Sequence, residues 1–315
     1  LYRDLPVILL TGAPSVKTAV AAVEHGAVRY LIKPVERPAL IEALQRAIGV
    51  ARIEALREQA LELDIGGEQE SPQGAADTSS IGGTLARLSL AAQPIVSMTA
   101  EAAVAYELLL CADGPMGMPP EAFLELARSL GQGQQMARVI RAEAAERVTL
   151  LSSEQRLFLP VDPKDLYDPE LYDTGAALSR VAPRVVLAIT ERARLDAHDD
   201  VGQRIDTLRE LGYQIAIDDL GSGYAGLTSL SRFDPDVVKL DPALVRGIDS
   251  DPRRQALVGG MVATCCAMDM VLIVEGVETF AERDSLLELG CDLMQGRLFA
   301  EPAEGLPSVA VSAFM

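Results

Sequence analysis

The sequence predicts an α/β protein: a TIM-like (β/α) barrel preceded by a partial, doubly wound βα segment. Three observations carry this reading. From about residue 84, short apolar runs alternate with stretches of helical periodicity, the pattern of a mainly parallel sheet. About 230 residues are available for these units, close to the size of such a barrel. Acidic residues stand at the ends of the runs, at Glu107, Asp218, Asp219 and Glu275, where barrel chemistry collects.

Taken in order, residues 6–10 read as a buried strand that ends at Thr11-Gly12. Helical spacing over 15–25 stops at Gly26, and 28–32 form a second strand closed by Lys33-Pro34. Arg37 to about Leu63 reads as a long helix. The polar, Gly/Ser-rich stretch from Gly66 to Ser80 reads as a flexible linker. The expected parts are therefore 1–48, a helix and linker over 49–83, and a barrel over 84–315. Barrel strands are expected at 93–96, 104–110, 156–161, 184–190, 213–217, 236–240, 270–275 and near 291–299. Helices are expected at 120–131, 134–151, 196–211, 253–268 and 279–289.

The 315 residues are 49% hydrophobic and carry a net charge of −18. Residues 1–63 are close to neutral, so the acidity lies downstream. Such a field leaves no patch to neutralise phosphates, which excludes nucleic acid as a partner. Cys111, Cys265, Cys266 and Cys291 show no metal-ligand spacing and read as reduced thiols. Only His25 and His198 are present, which excludes a His-rich metal site. No apolar run reaches the roughly 18–20 residues that span a bilayer. No signal peptide is evident, so a cytoplasmic protein without a membrane partner is expected. The chain starts at Leu1 in mid-pattern, as a fragment would.

Asp218 and Asp219 close the apolar run Tyr213–Ile217. Adjacent acids at a buried strand end are costly unless a cation or a polar partner meets them. Lys239 is the one Lys or Arg near these strand ends, and its charge offsets one carboxylate. Two arrangements stay open: a residual metal on Glu107, Asp218 and Asp219, or a metal-free mouth in which they pair with Lys239. The second is favoured. Gly221-Ser222-Gly223-Tyr224-Ala225-Gly226 spells G-x-G-x-x-G, but two carboxylates precede it where a pyrophosphate needs positive potential.

Thr11, Tyr30 and Lys33-Pro34 give residues 1–48 a resemblance to the second half of a response-regulator receiver domain. The half with the phospho-accepting Asp is absent, so a sensor kinase could act only through a complete receiver. Residues 84–315 resemble the EAL domain family of cyclic di-GMP phosphodiesterases. The resemblance rests on Gln93-Pro94-Ile95-Val96, Tyr106-Glu107-Leu108-Leu109, Asp218-Asp219-Leu220-Gly221, Lys239-Leu240-Asp241, Glu275-Gly276-Val277-Glu278 and Gln295-Gly296. It implies two divalent cations, Mg²⁺ or Mn²⁺, at the barrel mouth. It implies metal contacts from Glu107, Asp218 and Asp219, and assisting roles for Lys239 and Glu275. Gln93 and Gln295 would contact the ligand, and Glu191 and Glu278 would support the loops.

The departures bear on function. The family's metal-binding Asn is Pro160, its metal-binding Glu is Ala188, and its phosphate-contacting Arg is Cys111. The Ser-Ser after the loop tyrosine is Ala225-Gly226. Neither Pro nor Ala offers a side-chain oxygen, and Cys cannot replace a planar phosphate clamp. Asp162, on the same face as Pro160, is one conceivable replacement ligand. The expectation is a degenerate EAL response regulator that requires no cofactor and acts by binding cyclic di-GMP or a partner protein. Homodimerisation is a further possibility that the resemblance raises. The alternative is an active, metal-dependent phosphodiesterase that releases linear pGpG.

Overall fold

The computed structural model describes residues 7–11, 27–33, 35, 90–110, 124, 127–128, 131–190, 200–221 and 226–314. The chain divides into two units, one of residues 1–87 and 112–133, the other of 88–111 and 134–315. In the first, β1 (Val7–Thr11) and β2 (Ala27–Ile32) pair in parallel, with Thr11 opposite Ile32. The Lys33 N–H donates to the Thr11 carbonyl at 2.7 Å. The expected helices at 15–25 and 37–63, the linker, and most of the helix at 120–131 lie outside the described residues.

The second unit is a closed barrel. Its strands are β3 (Leu90–Ser97), β4 (Ala102–Leu110), β5 (Arg156–Val161) and β6 (Val185–Thr190), then β7 (Gln214–Leu220), β8 (Val237–Leu240), β9 (Val271–Val274) and β10 (Leu293–Gln295). They close in the order β10-β3-β4-β5-β6-β7-β8-β9. Strands β4 to β10 run parallel, whereas β3 is antiparallel to both neighbours. The cause is local. Residues 98–101 form a tight turn with Glu101 at a left-handed φ of 49°, too short for a crossover.

Helices α1 (Gly133–Val148), α2 (Val201–Glu210), α3 (Gly226–Phe233), α4 (Pro242–Val245), α5 (Pro252–Ala267) and α6 (Phe280–Glu288) follow in order. The sequence reading does not include α3 or α4, nor the 3₁₀ turns at 163–167, 169–172 and 179–184. Several start on one signal. Asp162, Asp168, Asp241 and Asp251 each precede a proline and accept an N–H two residues on, the cap-and-proline start of a helical turn.

Alternation along the strands sorts the apolar residues into two sets. Leu157, Leu159 and Val161 of β5 face outward into the large core that also holds Leu166, Ile205 and Leu208. Ile95, Ala105, Phe158, Val186, Ala216, Val237 and Ile273, with Leu293, fill the barrel interior. This inner layer is the floor of the site.

Candidate functional site

One pleat above that floor, each strand presents one more inward position: Gln93, Glu107, Pro160, Ala188, Asp218, Lys239, Glu275 and Gln295. Three carboxylates and one ammonium converge there. The Lys239 side chain is fully buried, and its Nζ lies 2.5 Å from Glu107 Oε1, 2.5 Å from Glu275 Oε1 and 3.3 Å from Asp218 Oδ1. The sequence reading pairs Lys239 with Glu107, Asp218 and Asp219; the structure shows the first two at its ammonium and adds Glu275.

Burial opposes the charge on Lys239, but Glu107, Glu275 and Asp218 outweigh it and hold this amine well above the usual lysine range. Burial also pushes Glu275 up to about 8, reinforced by Glu107 and Asp218 and only partly countered by Lys239. Glu107 is raised as well, first by burial, with Lys239 pulling the other way.

The cluster extends through amides. Gln295 Nε2 donates to Glu107 Oε2 at 2.8 Å and to Gln93 Oε1 at 3.1 Å. Gln93 Nε2 donates to the Ala300 carbonyl at 3.0 Å. With both Gln295 hydrogens facing oxygens, its amide orientation is set. Its Oε1 is buried without a hydrogen-bond partner among the described residues. Gly296 permits this approach: a Cβ there would fall 2.1 Å from the Val277 carbonyl oxygen.

Asp219 is placed differently from its neighbour. A register shift between Ile217 and Leu220 interrupts the β7–β8 ladder, and Asp219 takes a left-handed φ of 59°. Its N–H donates to Asp218 Oδ1 at 3.0 Å. The three oxygens that lie within 4.8 Å of one another come from Glu107, Asp218 and Glu275. Asp162, the conceivable replacement ligand, uses Oδ1 to accept from the Lys164 N–H at 2.9 Å and caps the turn that follows β5. Glu278 stands on the rim, bonded to Arg246 at 2.6 Å and to Arg297 at 2.7 Å. Both arginines were missed, because nothing in their local sequence ties them to Glu278. Cys111, Glu191 and Ala225 lie outside the described residues.

Hard carboxylate oxygens suit Mg²⁺ or Mn²⁺. This donor set does not fit a two-cation centre, however. Pro160 and Ala188, paired side by side on β5 and β6, bring no oxygen to the mouth. Glu107, Asp218 and Glu275 are already engaged by Lys239.

A closed barrel with acids, a lysine and glutamines at its C-terminal mouth defines an α/β-barrel with a polar ligand site. The chain belongs to the EAL domain family, which matches residues 82–302. Cyclic di-GMP phosphodiesterase RocR of Pseudomonas aeruginosa is 38% identical over 118 residues, 38% of this chain and 30% of that protein. Blue light- and temperature-regulated antirepressor BluF of Escherichia coli is 32% identical over 131 residues, 41% of this chain and 32% of that protein. The matches thus span about a third of these relatives' length. A standalone versatile EAL protein from Vibrio cholerae O395, in its c-di-GMP bound form, superposes with a TM-score of 0.63 at 28% identity. That match covers 72% of this chain and 98% of the other. Among the described residues, no helix is long and apolar enough to cross a membrane.

Proposed function

We propose that the barrel is a non-hydrolysing module of cyclic di-GMP signalling that works by binding the dinucleotide or a partner protein. In this reading residues 1–48 are the second half of a receiver domain and the protein is cytoplasmic. One observation carries the proposal: Pro160 and Ala188 occupy neighbouring mouth positions and offer no ligand oxygen. Loss of even an outer partner of a metal lowers affinity or activity by roughly 10–100-fold, and loss of two direct ligands costs more. The c-di-GMP bound Vibrio cholerae relative supports a dinucleotide ligand. The antirepressor BluF supports an output through protein contact.

Calorimetric titration of the full chain with cyclic di-GMP in excess chelator tests the mode of action. Saturable heat assigns the dinucleotide as ligand. No heat assigns the output to a partner protein, to be sought by co-purification. Turnover in the same samples on adding Mg²⁺ or Mn²⁺ contradicts both. The rival reading, a metal-dependent phosphodiesterase, is favoured by the three converging carboxylates. It predicts linear pGpG that Asp162→Ala abolishes.

A further inference from the structure

We propose that Arg246 and Arg297, on the rim of the barrel mouth, form a clasp for a phosphate of the guanine dinucleotide, with Glu278 holding the two guanidinium groups together until the ligand displaces it. The inference rests on the dinucleotide-binding reading above and adds to it the groups that meet the ligand's charge.

A cyclic dinucleotide carries a negative charge on each phosphodiester. In a mouth that works without metal, the chain itself must offset that charge. The inner ring is a poor source. Glu107, Asp218 and Glu275 stand there around the Lys239 ammonium, which lies within 3.3 Å of all three. The rim differs. Arg246 follows β8 through the short α4, Glu278 follows β9 and Arg297 follows β10, so all three stand at the same end of the barrel as that cluster.

The two arginines converge. The Nη2 of each donates to the same oxygen, Glu278 Oε1, at 2.6 Å from Arg246 and 2.7 Å from Arg297. Two positive charges thus share one carboxylate. Their side chains are 59% and 56% exposed, against 26% for Glu278. Among the described residues, a further ion pair joins Arg297 Nε to the exposed Glu301 at 4.0 Å. Exposed ion pairs contribute little, so a phosphate displaces these carboxylates at small cost. Each guanidinium can then give a phosphate two parallel N–H bonds, the stronger arrangement.

The backbone beneath the pair is fixed. The Val277 N–H donates to the Gln295 carbonyl and the Leu298 N–H to the Val277 carbonyl, each at 3.1 Å. Gly276, at a left-handed φ of 72°, lets the β9 loop pack on Pro242: a Cβ there would fall 2.5 Å from the Pro242 Cβ. The Glu278 N–H is held by Glu282 Oε2 at 3.0 Å. A clasp on such ordered segments is set before the ligand binds.

The test is calorimetric titration of the full chain with cyclic di-GMP in excess chelator, at low and high salt. Arg246→Ala/Arg297→Ala is expected to bind at least about 10-fold more weakly than wild type, the scale of one charge-assisted hydrogen bond. Wild-type affinity should fall as salt rises, and that of the variant should fall less, because screening acts on the charges removed. A purely structural role for the arginines would not change the salt dependence. If the alanine variant does not fold, Arg246→Lys/Arg297→Lys takes its place. It keeps the charge and loses the paired N–H bonds, so it should keep the salt dependence and bind more weakly. A folded variant that binds as tightly as wild type overturns the clasp and leaves dinucleotide binding standing. Wild type that gives no heat overturns the dinucleotide reading, and the clasp with it.

Discussion

Glu275 ties the chemistry of the mouth to its stability. Folding raises this carboxyl from an ordinary value of 4.5 to about 8, first through burial and then through its acidic neighbours. Between those values the folded chain holds a proton that the unfolded chain has released, so stability falls as pH rises. The contribution is fully present below about 4.5 and is lost as pH passes through about 8. Glu275→Gln mimics the protonated form and should flatten this fall. Thermal unfolding in chelator from pH 5 to 9 checks it, and a wild-type curve that rises over this range contradicts it. The residues that meet here were legible in part. Glu107, Asp218, Lys239, Glu275, Gln93 and Gln295 were all singled out in sequence, because strand ends and family motifs mark them. That Glu275 joins Glu107 and Asp218 at this ammonium was not legible. It depends on barrel closure, which sets β4, β7, β8 and β9 around one point.

Single elements repeat one device. Asp followed by Pro starts the turns after β5 and β8 and helix α5, with the carboxylate as cap and the proline at the first helical position. The start of α6 carries a stronger version. Thr279 accepts from the Glu282 N–H at 3.2 Å, while the buried Glu282 carboxylate accepts N–H groups from Gly247, Glu278 and Thr279. Burial alone would raise Glu282; these N–H groups outweigh it and hold the carboxyl below its ordinary value. Glu282→Ala should therefore cost about 2–3 kcal/mol, more than the ~1 kcal/mol of a simple cap, because it strands several donors at once. Urea unfolding measures this. A loss under about 0.5 kcal/mol, the range of ordinary surface changes, would mean that the bonds are not made in solution. The T-x-x-E spacing of this box stands in the sequence and could have been read. Helix α3 could not: Gly226, Thr228, Ser229 and Ser231 are poor helix formers.

At the scale of the whole molecule, the alternation of runs and helical stretches was enough to foresee a closed α/β barrel. Its single antiparallel strand was not foreseen, because strand direction depends on the short turn at 98–101 and not on apolar period. The barrel also makes the departures readable. Pro160 and Ala188 are distant in sequence but adjacent in register, so together they leave one gap in the ring of polar side chains. Glu107, Asp218 and Glu275 face one buried lysine at this mouth. The most direct test is hydrolysis. The full chain is incubated with cyclic di-GMP and Mg²⁺ or Mn²⁺, and linear dinucleotide is sought by chromatography beside an Asp218→Asn control. The account predicts no product above the control; product from wild type that Asp218→Asn abolishes would contradict it.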